Sequence, residues 1–289
     1  MRRLRIAILG ALGFLGRELS QNLARQGHEV IGFVLHQPPV QPEGFLCRPI
    51  SSLKGREISP DDDFDVVINL AARRSTKSNP LSEAKVRKFT FDIPKDFILR
   101  ASGAGTLVLN ASTYIQNFEG VDGRTVDTYG AAKQNLTRFL MDESEILGFK
   151  TLDLYLFTIY GHGDRPSHLV PSLISAAKKG KGISLSPGHQ LMNLMHVEDV
   201  VRNFTKAIFT KDQFSYRRHF VWQEHYFTVR SLVSSIESIA QVNVDCLWGE
   251  RPYAGHEMFE PWKIPMSQIP SFESQISLEH GLRKLWSEE

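Results

Sequence analysis

Cysteine is almost missing from this chain. Only Cys47 and Cys246 occur in 289 residues, far apart and without a Cys-Xaa2-Cys or Cys/His spacing. That excludes a disulfide framework, offers no zinc pattern or other metal site, and leads us to expect reduced thiols in a cytoplasmic protein. Charge of one sign is lacking too: 34 Lys and Arg stand against 32 Asp and Glu, a formal net charge of +2. Without a long basic run there is no electrostatic footprint for nucleic acid or a membrane surface. Long apolar stretches are also absent. The run after Arg5 meets Gly10 too soon for a signal-peptide core, and no other reaches the length that spans a bilayer. What remains is ordinary globular composition, 42% hydrophobic and 23% charged, enough for one large domain or two modest ones. The expected partner is a small molecule.

The clearest signal lies near the start. Ile6 to Leu9 is a short apolar run that breaks into Gly10-Ala11-Leu12-Gly13-Phe14-Leu15-Gly16, and residues 17–25 follow with apolar side chains at helical spacing. Strand, glycine turn and helix together form the context of a dinucleotide-binding loop. The first glycine permits the tight turn, the later ones let backbone approach a pyrophosphate, and the helix N-terminus presents unpaired N–H groups. Residues 27–35 read as the second strand, whose end is where a carboxylate would bind the adenosine ribose of NAD. Leu35, His36 and Gln37 stand there instead, so NADP is favoured over NAD, and modestly, since no arginine occupies the position either. His36 has two readings, a phosphate contact or an exposed loop residue. So have Arg73, Arg74 and Lys77, as charge near that phosphate or as a solvated loop.

Further strands are expected over residues 64–72, ending in Leu70-Ala71-Ala72, over 106–112 with Asn110, and over 152–157. A helix over 81–100 is expected to be interrupted at Pro94. The alternation gives an α/β fold, a doubly wound parallel sheet of Rossmann type. Residues 1–165 would form the dinucleotide-binding domain, with 190–225 returning to it. Residues 166–189 and 226–289 would form a smaller α/β substrate lobe, with helices over 169–179 and 228–240, a strand over 243–247 and a last helix over 278–286. A helix beginning at Met195 and running to about Phe209 is expected between them.

Tyr129 and Lys133 lie four residues apart at the start of a helix that continues through 136–147, so they share one face about a turn apart. An ammonium there would favour the phenolate and bring the phenol toward neutrality, ready to exchange a proton with a substrate oxygen. Ser112 upstream would hydrogen-bond that oxygen. The pair alone is weak, because seven tyrosines would place such a lysine by chance roughly 0.3 times.

The ordered set Gly10/Gly13/Gly16, Asn69-Leu70-Ala71-Ala72, Ser112, Tyr129/Lys133, Ile159-Tyr160-Gly161-His162-Gly163 and His196-Val197-Glu198-Asp199-Val200 resembles the extended short-chain dehydrogenase/reductase family, of the NAD-dependent epimerase/dehydratase type. The resemblance covers nearly the whole chain, and Leu109-Asn110-Ala111-Ser112-Thr113 looks most like bacterial reductases of CDP- or dTDP-linked 4-keto-6-deoxy sugars. It implies Tyr129 as acid/base, Lys133 on the nicotinamide ribose, and Ser112 on the carbonyl oxygen with Thr113 in reserve. It implies a cofactor site from the glycine loop with Leu12, Phe14, Leu15, His36, Leu70, Ala71, Ala72, Asn110 and Ile159. Substrate contacts would come from Thr113, Tyr160, His162, Leu191 and Arg251, and a homodimer would pair through the helix near residues 128–147.

The family's dehydratases carry Asp-Glu after the active-site hydroxyl residue, where this chain has Tyr114-Ile115, so reduction with NADPH leads. An epimerase, a reductase of a non-nucleotide carbonyl compound, and a cofactor-binding protein without turnover are the alternatives. Arginines that hold a diphosphate in relatives are replaced here by Met192, Ala254 and Tyr155. Lys178, Lys179, Lys181 or Arg251 would take their place if the substrate is a nucleotide sugar.

Overall fold

The computed structural model describes residues 2–50, 63–76, 79–210, 218–263, 266–269, 272 and 274–288; Lys77 lies outside them. Six strands, β1 (Arg5–Leu9), β2 (Glu29–Val34), β3 (Leu46–Pro49), β4 (Val66–Asn69), β5 (Leu107–Thr113) and β6 (Lys150–Leu156), build the central sheet. Short strands β7 (Thr158–Tyr160), β8 (Ile183–Leu185), β9 (Leu191–Met192) and β10 (Leu194–His196) lie outside it, and β11 (Arg218–Val221) returns to it. The order is β11-β6-β5-β4-β1-β2-β3, with every neighbouring pair parallel. This is the Rossmann-type doubly wound arrangement that the alternation of elements predicts. The strand order reverses beside β1, so the glycine turn at its end opens at a switch point where a crevice must form.

Strand periodicity sorts the core. Ile6 and Ile8 of β1 face α1 (Phe14–Arg25) through Leu15, Leu19 and Leu23. Ala7 and Leu9 face the other side, with Phe97 and Ile98 further along the chain. Helices α2 (Glu83–Arg87) and α3 (Ile93–Ala101) run together through a π turn at Lys88–Asp92, and α4 (Thr128–Leu147) packs Leu136 and Leu140 on that same face. Burying each such side chain contributes about 1.5–3 kcal/mol. Pro94 therefore does not interrupt the helix, contrary to expectation. It sits in the first turn of α3, where its missing N–H costs little, and the π turn absorbs the mismatch.

Helix α5 (Leu169–Lys179), α7 (Val229–Ala240) and α8 (Leu278–Glu288) enclose a separate core around Leu173, Leu232 and Leu282. Helix α6 (Val197–Phe209) packs beside α1 under the sheet. Met195 and His196 are strand rather than helix: β10 pairs with β7, and His196 caps α6 by accepting the Glu198 N–H on Nδ1. The remaining strands are β12 (Phe227–Thr228), paired with β9, and β13 (Cys246–Trp248), paired with β8. The expected strand over 243–247 is thus displaced toward the C-terminus. Among the described residues no helix is long and apolar enough to cross a membrane, and no cluster of three or more His, Cys, Asp or Glu could hold a metal ion.

Candidate active site

The glycine loop shapes one end of a cleft of about 990 Å³. Gly10 has φ +87°, and a Cβ there would lie 3.1 Å from the Ala71 nitrogen; at Gly16 a Cβ would fall 2.1 Å from the Gly10 carbonyl oxygen. Gly32 on β2 belongs to the same device, since its Cβ would sit 2.6 Å from that of Ala11. Its role was hidden in the sequence, because no turn surrounds it. Gly13 is the N-cap of α1 and has no side chain to satisfy the first-turn N–H groups of Phe14, Leu15 and Gly16, which line the cleft. An open helix N-terminus behind a glycine cradle fits the pyrophosphate of a dinucleotide. Leu12, Leu35, His36, Leu70, Ala71, Ala72 and Ile159 continue the wall.

Asn110 does not reach the cleft. Its amide accepts from Asn69 at 2.7 Å and donates to Asp153 at 2.8 Å, beneath the sheet edge. Asp153 on β6 also receives Ser112 Oγ at 2.6 Å and Thr137 Oγ1 of α4 at 2.5 Å. Burial pushes the Asp153 carboxyl up, against the pull of these hydrogen bonds and of Lys133. A serine hydroxyl has one proton, and that of Ser112 is committed to Asp153. Ser112 itself lines the cleft, with its hydroxyl turned onto Asp153. Thr113 also lines the cleft and faces the other way by strand alternation; its hydroxyl accepts the Gln116 N–H in a capping box, an acceptor role that leaves its own proton to give.

Tyr129 and Lys133 both line the cleft on the first turns of α4, where Asp127 accepts the Gly130 N–H at 2.7 Å as N-cap. Lys133 Nζ donates to the Ala111 carbonyl at 2.6 Å, and burial lowers its pKa to about 8 with Asp153 opposing. No hydrogen bond among the described residues joins it to Tyr129. The Tyr129 phenol is not brought toward neutrality: burial pushes it up to about 12, with the Arg74 guanidinium pulling down and Asp127 pushing up. The lysine expected to tune it is occupied elsewhere.

The opposite wall carries Tyr114, Phe157, Arg165, His168, Leu191, Arg251, His256, Glu257 and Met258. Tyr114 stacks on Phe157 with ring centres 4.7 Å apart, and burial raises its phenol to about 12. Tyr160 and His162 are not on this wall. Tyr160 is fully buried against His196 and Gly281, and His162 is exposed, pairing with Glu288 at 3.1 Å. Lys178, Lys179 and Lys181 lie at the far end of α5, away from the cleft, which leaves Arg251 from the expected cations and adds Arg165. Asn193 is a structural tie: its amide donates to the Gln223 carbonyl at 2.6 Å and accepts the Gln223 N–H at 3.0 Å. Trp248, Tyr253 and Trp262 pack on Arg230, Phe259 and Tyr114 respectively, outside the cleft that Met258 lines.

A model of the NAD dependent epimerase/dehydratase family matches residues 6–221. The chain is 25% identical over 269 residues to CDP-abequose synthase of Yersinia pseudotuberculosis, which covers 89% of this chain and 92% of that one. It is 21% identical to Protein CapI of Staphylococcus aureus, over 71% of this chain and 69% of the other. In fold it is similar to UDP-glucuronic acid 4-epimerase from Bacillus cereus, with a TM-score of 0.82, 17% identity and 98% of each chain covered. The cradle, the Tyr129/Lys133 pair and the match over most of the chain agree: this protein is an enzyme of short-chain dehydrogenase/reductase type and belongs to the NAD dependent epimerase/dehydratase family.

Proposed function

We propose that the protein is an NADPH-dependent reductase of a nucleotide-linked 4-keto-6-deoxy sugar, CDP- or dTDP-linked. The observation that carries this reading is the meeting, in one cleft, of a dinucleotide cradle and a protonated Tyr129, with Tyr114 and Ile115 where a dehydratase would carry its acid and base. The similarity to a CDP-sugar enzyme over 89% of the chain supports the carrier. The reduced nicotinamide supplies a hydride to the carbonyl carbon. Tyr129 gives its proton to the oxygen as charge develops there, and Thr113 donates the hydrogen bond that holds that oxygen. Lys133, charged below about pH 8, binds the nicotinamide ribose. Arg165 and Arg251 are the guanidinium groups on the substrate wall suited to the diphosphate.

Preference for NADPH rests on the end of β2, where Leu35 and His36 line the cleft and no carboxylate repels a 2′-phosphate. A dimer through α4 belongs to the same reading. Ile146 at its C-terminal end is 77% exposed, and sedimentation of Ile146→Glu beside the unaltered chain tests whether it lies in the contact. The second reading, a nucleotide-sugar 4-epimerase, is favoured by fold neighbours that are UDP-sugar epimerases. Tyr129→Phe tests the chemistry common to both: turnover falls by about 10²–10⁴-fold with NADPH affinity kept. Undiminished turnover with cofactor bound would remove Tyr129 from the mechanism.

A further inference from the structure

The loop after β4 brings Arg74 to the face of Tyr129. Its Nη2 donates to Asp127 Oδ2 at 2.8 Å and to His256 Nδ1 at 3.2 Å, and its guanidinium carbon lies 5.6 Å from the centre of the Tyr129 ring. Asp127 is fixed as the cap of α4. The His256 nitrogen that accepts this bond carries no proton, in keeping with a pKa driven down to about 4 by burial and by Arg74 itself. The cation is thus anchored by groups from two other segments and held at cation–π distance from the phenol. A ring that gains negative charge on ionisation draws such a cation more strongly than the neutral ring does.

The other ionisable groups around Tyr129 are Asp127 on its own helix, Lys133 one turn on, Tyr114 from the end of β5, and His256 and Glu257 from the C-terminal loop. Lys133 spends a hydrogen bond on the Ala111 carbonyl, and Asp127 opposes ionisation. We propose that Arg74, and not Lys133 alone, stabilises the Tyr129 phenolate left after proton transfer, acting through Tyr129 as a positioning residue and not as an anchor for substrate phosphates. Its charge is already matched by Asp127 at 2.8 Å. Arg74 thereby links the C-terminal loop, through His256, to the acid/base.

This inference rests on the reading of Tyr129 as acid/base, but its test does not require turnover. 2,3,5-Trifluorotyrosine takes the place of the seven tyrosines, its ring fluorines bringing phenol ionisation well below that of tyrosine and into the range where the chain is folded. The resonances lost in Tyr129→Phe identify the group, and their fluorine shifts are titrated in the ligand-free protein. Arg74→Gln should raise the midpoint by roughly one to two pH units, a cation at this range and an intermediate dielectric being the source. Arg74→Lys should restore much of it. Asp127→Asn keeps a good N-cap residue but removes the anion, and should move the midpoint down. Opposite shifts are what a merely structural contact would not produce. A midpoint unmoved in Arg74→Gln, or moved the same way in both variants, overturns the proposal. Loss of activity in Tyr129→Phe beside that result would leave the functional reading standing.

Discussion

Ser112 and Thr113 adjoin in sequence, and their hydroxyls meet different partners. Ser112 donates to the buried Asp153, so Ser112→Ala withdraws one donor from a carboxylate that cannot find water. Leaving a buried acceptor short of its partner costs about 1–3 kcal/mol, and denaturant unfolding should show that loss while kcat changes less than about tenfold. Thr113→Val should weigh on the kinetics instead, lowering kcat by about 10²-fold or more, and loss of its cap on the Gln116 N–H should cost about 0.5–2 kcal/mol of stability beside it. Equal kinetic losses in the two variants would return the oxygen contact to Ser112. Lys133 makes a pH prediction. Its folded pKa of about 8 lies below the ordinary lysine value, so the folded chain gives up this proton first as pH rises. The stability it contributes is therefore fullest above the ordinary lysine pKa and is lost as pH falls toward about 8. The ammonium itself fades above about 8, and ketone reduction should decline there, a limb that is missing from the residual activity of Lys133→Met.

At the level of elements, the glycine loop makes the sharpest prediction. A Cβ at Gly16 would drive into the Gly10 carbonyl at 2.1 Å, a backbone atom that cannot swing aside. Gly16→Ala should therefore weaken NADPH binding by more than about tenfold, read by cofactor fluorescence, because α1 must shift from the position that aims its N–H groups. Both the loop and α4 were legible in the sequence, since glycine spacing and helical periodicity are local signals. The parts that escaped depend on pairing between distant segments. Strand β3 is an edge strand of four residues, ending at Pro49 with Leu46 exposed, and carries no alternation to announce it. The network from Asn69 through Asn110 to Asp153 joins three strands, so the capture of Ser112 could not be read from its own neighbourhood. Arg74 was visible as a charge near the cofactor strand, but its turn toward Tyr129 depends on His256, 182 residues later.

For the molecule as a whole, the central sheet fixes the cofactor end of the cleft and the C-terminal lobe fixes the other. The fold followed from the order of strands and helices. The substrate wall did not, because Tyr160 and His162 sit in a motif whose side chains turn into the core and into solvent, while Arg165 and His256 come from loops without periodicity. Binding to the folded state alone stabilises it by mass action, about 2.7 kcal/mol at a hundredfold excess over Kd. The thermal midpoint should therefore rise further with NADPH than with NADH at equal concentration, and the reverse order would assign the β2 end to NAD. Stoichiometry separates reduction from epimerisation most directly. The protein is incubated with NADPH and a CDP- or dTDP-linked 4-keto-6-deoxy sugar, and nicotinamide oxidation is followed against loss of the ketone. One NADPH consumed per ketone reduced is the predicted result; sugar interconversion without net consumption of the nicotinamide would contradict it and make the enzyme an epimerase.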